Sequence, residues 1–247
     1  MSNLEQLSLY FTTSYGPIID GDNLEKNVIN HMTKLNTFRF SIHSSVRLNQ
    51  HVYLPSNEDI QKSFRNFKKN QIISYVDYFS QENLYHCHVY SYPYTLTYYD
   101  NITNNFPGGL FKCVRKISLF DERPFEHEFF IQVARCFPFL KNLILHNREL
   151  QKNENQQWSI IEYPHLIELD LVRVHENYVE QFLDNRKMSL PNHVYLYVDY
   201  DLLEKVTHNF TRDATRMNCS KINQLLLFHK PAFDLDLKDY FPHAKID

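Results

Sequence analysis

Two stretches of the chain carry one pattern of apolar and polar positions. Phe137-Pro138-Phe139-Leu140-Lys141-Asn142-Leu143-Ile144-Leu145 is followed 26 residues on by Tyr163-Pro164-His165-Leu166-Ile167-Glu168-Leu169-Asp170-Leu171. Both read aromatic, Pro, x, Leu, x, x, Leu, x, Leu. A phrase that returns at a step of this size predicts a solenoid, in which copies of one supersecondary unit bury each other's apolar faces. Within each phrase the apolar residues alternate with polar ones, which predicts a strand with one face toward a core. Strand centres fall at Ile117/Leu119, Leu143/Leu145, Leu169/Leu171, Leu196/Val198 and Leu225/Leu227, at steps of 26, 26, 27 and 29 residues. A similar phrase opens the chain with Leu4, Leu7 and Leu9, and Leu35, Phe38 and Phe40 follow 31 residues later.

Helical spacing fills the intervals. Leu24, Val28, Ile29 and Met32 predict a helix over about 23–32, with Asp22 as its cap. Ser56 and Asp59 predict a capped start for a helix carrying Ile60, Phe64 and Phe67. Further helices are predicted over 126–137 with Phe129, Phe130 and Val133, over 176–184 with Tyr178, Val179 and Phe182, and over about 201–210 with Leu202, Leu203 and Val206. Residues 71–99 break the rhythm. They fit either a hairpin of two strands, or an inserted strand followed by the next solenoid strand. The whole reads as one irregular domain, with N-terminal repeats over 1–70 and an irregular hairpin or insert over 71–110. Regular repeats occupy 111–230, and a C-terminal cap carrying Phe233, Leu235, Leu237 and Phe241 occupies 231–247.

The fold class is therefore α/β, a solenoid of parallel strands alternating with helices. A closed β/α barrel is the alternative, since about eight strands in 247 residues suit one. Barrel strands are covered on both faces and are apolar throughout. Here Gln6 and Ser8, Thr37 and Arg39, Lys116 and Ser118, and Glu168 and Asp170 occupy alternate positions. Inside a barrel each unsatisfied group would cost roughly 1–3 kcal/mol, whereas on an open sheet they face water.

Composition narrows the function. A net charge of −3 with acids and bases spread along the chain excludes a broad phosphate-binding surface, so no nucleic-acid partner is expected. No apolar run reaches membrane-spanning length, and the first residues lack the basic and apolar regions of a signal peptide, which predicts a cytosolic or nuclear protein without a membrane partner. Cys87, Cys113, Cys136 and Cys219 lie far apart and are read as buried free thiols. The sequons at Asn101, Asn209 and Asn218 are chance matches in such a compartment, and Asn209-Phe210-Thr211 is read as a helix end.

Catalytic patterns are scarce. His127-Glu128 opens like a zinc-protease helix, but Ile131 stands where the second His is needed. His86-Cys87-His88 puts two imidazoles on one strand face as half of a metal site, with no second half in the sequence. Asp121, Glu122, Glu126 and Glu128 are read as capping the positive end of the Phe129 helix. Four glycines make no phosphate-binding loop. No nucleophile–base pair emerges, and neither cofactor nor metal is expected.

The strand phrases with helices between them, at steps of 26 to 31, resemble leucine-rich repeats, and their irregular lengths resemble the repeat regions of F-box proteins. Phe106-Pro-Gly-Gly-Leu110, Leu119-Phe-Asp-Glu-Arg-Pro-Phe125 and Tyr178-Val-Glu-Gln-Phe-Leu183 resemble an expanded group of invertebrate F-box proteins. The resemblance runs from about residue 84 onward. It implies a substrate receptor of a cullin-based ubiquitin ligase, recruited through an adaptor. Two departures stand out. Arg148 and Val174 occupy the place of the usual Asn or Cys, and no F-box precedes the strand that starts at Leu4. Adaptor binding is thus expected only if an F-box lies upstream, and Leu4, Leu7 and Leu9 are expected to be covered by an upstream domain or another chain.

The expected function is a non-enzymatic protein-binding module. In an arc of parallel strands the residues between the core leucines line the concave face: Tyr10, Arg39, Phe120, Ile144, His146, Asp170, Tyr195, Tyr197 and Phe228. Exposed aromatics mixed with Arg and acids suit a protein partner or substrate. The alternatives are a truncated or decaying copy with no ligase recruitment, and a barrel enzyme.

Overall fold

The alternating phrases become the strands of two sheets, each lying in its own compact unit. The computed structural model describes residues 3–14, 16–48, 54–67, 71–152, 158–229 and 237–247. One unit comprises Met1–Thr95 with Asn105–Pro107, and the other Leu96–Asn104 with Gly108–Asp247.

The first unit runs β1 (Gln6–Ser14), α1 (Gly21–Asn27), β2 (Thr37–Arg47), α2 (Asn57–Ser63), β3 (Gln71–Phe79) and β4 (Leu84–Tyr92). Its sheet order is β1-β2-β4-β3, with β1 parallel to β2 and β4 antiparallel to both β2 and β3. Residues 71–92 are thus a hairpin whose second arm is inserted beside β2. Phe38, Phe40, Ile42, Tyr85, Cys87 and Val89 form a core with Leu24 of α1 and with Ile60 and Phe64 of the α2 segment. Leu7, Leu9 and Phe11 pack against this core, while Leu4 is exposed. The Ser56 hydroxyl and Asp59 form the expected capping box of α2. The cap of α1 is Asp20 rather than Asp22, because Asp20 Oδ1 accepts from the Asn23 N–H, and the helix ends at Asn27 before a 3-10 turn over Ile29–His31. Gly21 lies between the helices: its N–H donates to Ser63 Oγ at 2.8 Å, and a Cβ there would overlap the Ser63 carbonyl.

The second unit runs β5 (Tyr98–Ile102), β6 (Lys116–Phe120), α3 (His127–Cys136), β7 (Asn142–Asn147), β8 (Ile161–Glu162), β9 (Glu168–Val174), α4 (Glu176–Leu183), β10 (Met188–Ser189), β11 (Val194–Asp199), α5 (Tyr200–Val206), α6 (Asp213–Cys219), β12 (Ile222–Phe228) and β13 (Lys245–Ile246). Seven strands form one parallel sheet in the order β13-β12-β11-β9-β7-β6-β5, and β8 pairs with β10 apart from it. The outer strands do not pair with each other, so the sheet is open and the closed barrel is corrected. Its register stacks like on like: Ile117, Leu143, Leu169, Leu196 and Leu225 are successive cross-strand partners, all fully buried. Phe130, Val133, Tyr178, Phe182 and Leu203 bring the helices into the buried core.

One backbone motif marks the repeat. Ahead of a strand, a single carbonyl accepts two successive N–H groups from the segment entering the next strand. Thr97 O takes Arg115 and Lys116 at 2.6 and 3.1 Å, Arg115 O takes Lys141 and Asn142 at 2.7 and 2.9 Å, and Lys141 O takes Ile167 and Glu168 at 2.7 and 2.9 Å. Glu5 O does the same for Asn36 and Thr37 in the first unit.

The sequence reading of the acidic run is corrected. Asp121 is buried and accepts from the N–H groups of Asn104 and Arg123, which fixes a loop, and the Glu126 side chain caps no N–H of α3, while Glu128 does stand in the first turn of the helix. All four cysteines are free, but Cys113 is exposed and only the other three are buried. Asn209 does follow α5, within the left-handed run His208, Asn209 and Phe210, with φ of 52°, 54° and 59°. Thr207 holds that run: its hydroxyl donates to Leu203 O at 2.7 Å and accepts from the Phe210 N–H at 3.1 Å. Of the tail residues, Phe233 and Leu235 lie outside the described residues, while Leu237 and Phe241 are buried and β13 pairs with β12.

Candidate functional site

Parallel strands in strictly sequential order need a right-handed crossover between every pair, and that places all the connections on one side. The core leucines of β6, β7, β9, β11 and β12 point to that side. The residues between them point the other way and stay half-buried or exposed, as Ile144 and His146 do between Leu143, Leu145 and Asn147 on β7.

Seven of the nine expected site residues share this outer face: Phe120 on β6, Ile144 and His146 on β7, Asp170 on β9, Tyr195 and Tyr197 on β11, and Phe228 on β12. Register arranges them in rows. One row reads Ser118, Ile144, Asp170, Tyr197 and Leu226; the next reads Lys116, Asn142, Glu168, Tyr195 and Gln224. Tyr195 and Phe228 are 36% and 39% exposed, large values for aromatic rings on a sheet. Tyr10 and Arg39 lie on the four-stranded sheet of the first unit, Tyr10 half-buried and Arg39 exposed, and do not belong to these rows.

The electrostatics of the face centre on β9. Asn142 Nδ2 donates to Glu168 Oε2, and Asp170 Oδ1 accepts from the Val172 N–H at 3.1 Å. Among the described residues neither carboxylate has an ion-pair partner, whereas Asp199 Oδ2 is hydrogen-bonded to His229 Nδ1 at 2.6 Å. Burial pushes the Tyr197 phenol up, and the Glu168 and Asp170 charges beside it push it further. Burial, then the Arg173 charge, lowers His146 against the opposing pull of Asp170. Glu168 was used in the sequence only as a mark of alternation. Its place two residues before Asp170, hence on the same strand face, was the signal that joins it to the site.

The four-stranded sheet holds a second cluster. His43 and His88 are direct cross-strand partners with rings stacked at 3.5 Å, and His88 contacts Ser41 Oγ at 2.9 Å and the Tyr75 hydroxyl at 3.1 Å. His86 lies on the same face of β4 as His88, with Cys87 on the opposite, core face. The sequence offered His86 and His88 and missed His43, which matches them only through register. No group of three or more His, Cys, Asp or Glu among the described residues is placed to hold a metal ion. No described helix is long and apolar enough to cross a membrane.

Comparison with protein-family models, with curated proteins and with solved structures returns no match.

Proposed function

We propose that the chain is a non-enzymatic protein-binding module, that the seven-stranded unit is an open solenoid, and that the outer face of its sheet is the docking surface. The observation that carries this is the row pattern of that face. Exposed Tyr195 and Phe228, with half-buried Ile144 and Tyr197, stand on strands whose opposite face is fully buried. Rigid aromatics displayed on a fixed backbone lose little entropy on binding, which is why they dominate protein interfaces. The repeated one-carbonyl, two-donor motif and the stacked leucine ladder support the solenoid reading.

The test is the double substitution Tyr195→Ala with Tyr197→Ala, on the full chain. Partner binding should fall at least tenfold while the melting temperature changes by no more than about 2 °C. A large drop in melting temperature would mean that the tyrosines serve the core and that the face is not a docking surface. The role of ligase substrate receptor rests on the resemblance to F-box repeat regions alone. It stands or falls with co-purification of a ligase adaptor with the natural protein.

A further inference from the structure

Four side chains of the outer face form a two-by-two square. On β9 stand Glu168 and Asp170; opposite them, as direct register partners on β11, stand Tyr195 and Tyr197. Neighbouring strands lie about 4.8 Å apart, and residues two apart on one strand are separated by roughly 6.6 Å. A single planar group can thus reach both kinds of side chain at once. The square is flanked by Ile144 on the β7 side and Leu226 on the β12 side, both half-buried.

We infer that this square receives an arginine of an extended peptide segment in the partner, the guanidinium lying over the tyrosine rings and against the two carboxylates. The inference rests on the docking reading above and names the chemistry of its occupant. Charge is the first argument. Glu168 and Asp170 have no ion-pair partner among the described residues; Lys245 is paired with Asp247, and Lys116, at the head of the Glu168 row, stands two strands away, about 9.6 Å by strand spacing. Arg173, also on β9, lies close enough to His146 for its charge to act there. Shape is the second argument. Guanidinium is flat, stacks on aromatic faces and forms two parallel hydrogen bonds to a carboxylate, and its aliphatic stem can lie along Ile144 or Leu226. An ammonium group offers only the charge.

The experiment is a selection of 12-residue peptides displayed against the full wild-type chain. Selected peptides are then resynthesised and their affinities measured. Peptides should share an arginine. Replacing it by citrulline, which keeps the shape and removes the charge, should weaken binding at least tenfold, and so should Glu168→Gln with Asp170→Asn. Tyr195→Ala with Tyr197→Ala should abolish it. If peptides depend on the tyrosines but tolerate citrulline, the arginine assignment is wrong and the docking reading survives. If lysine replaces arginine without loss, or spermine binds as tightly as the peptide, a generic cation site takes its place. If no selected peptide depends on the tyrosines, the docking reading fails as well.

Discussion

His43, His86 and His88 stand side by side on one face of the four-stranded sheet, and their surroundings keep all three neutral. Burial, followed by the charge of His86, lowers His43 to about 3; burial lowers His86 to about 4; burial and then His43 hold His88 well below the ordinary value. The unfolded chain binds these protons near pH 6.5 and the folded chain does not. Stability is therefore full above pH 6.5 and falls as the pH drops toward 4. At pH 5 each of His43 and His86 should favour unfolding by about 1–2 kcal/mol. Urea denaturation at pH 7.5 and pH 5 checks this, and His43→Gln should show the shallower dependence. A second residue-scale expectation concerns Thr207. A left-handed backbone costs a residue other than glycine roughly 1–2 kcal/mol, and His208, Asn209 and Phe210 adopt it in succession. Thr207→Val keeps the shape but removes the hydroxyl that bridges Leu203 O and the Phe210 N–H. It should lower the unfolding free energy by about 1–3 kcal/mol in denaturant titration.

At the scale of the element, β9 states the rule for the whole sheet. Leu169 is fully buried and Asp170, its neighbour, is half-exposed. Leu169→Ala should cost about 2–5 kcal/mol, whereas Asp170→Asn should leave the melting temperature nearly unchanged. This alternation was legible in the sequence because a strand's side-chain period is two and one face alone is covered. The helices α3 and α4 were legible for the matching reason, a continuous apolar stripe, whereas α2 was legible from its capping box, because Ile60 is its one apolar residue and Phe64 and Phe67 lie beyond its end. Failures occurred where those signals fade. Asp213-Ala-Thr-Arg-Met-Asn-Cys219 carries few apolar residues, and α6 was missed; its buried groups include the polar Thr215 and Asn218. Tyr10 and Arg39 were grouped with the rest because their phrase looks the same. Separation of the two sheets leaves no composition shift behind it, and the insertion of β4 beside β2 is written only in pairing. The histidine stack escaped notice because His43 and His88 are 45 positions apart and meet through register.

At the scale of the whole molecule, the described residues include two acid-sensitive devices that titrate in different ranges. In the second unit Asp184 is fully buried and accepts from the Arg186 and Arg212 guanidinium groups, Arg212 at 3.0 Å, with Glu180 bound to the same arginine at 2.9 Å. Burial alone would raise the Asp184 carboxyl, but the hydrogen bonds and charges of the arginines outweigh it and hold it below its ordinary value. A depressed carboxylate stabilises the fold above the unfolded value near 4 and ceases to do so as the pH falls through the folded one. Hydrogen exchange across an acid series should therefore show the first unit losing protection between pH 6.5 and 4. The α4–α6 region should keep its protection until below about pH 4. Simultaneous loss would mean that the histidines do not govern the first unit.

The recurring carbonyl motif has a consequence for how such a chain changes over generations. Lys141 and Ile167 hold equivalent places, 26 residues apart, at the entrances to β7 and β9. Every joint of this kind presents the same donors, the same acceptor and the same apolar rung to whatever comes next. Duplication or loss of one increment then alters the number of rungs without spoiling the joints on either side. An open sheet built this way has no closure condition to satisfy, so its copy number is free to drift, and its outer face lengthens or shortens one strand at a time.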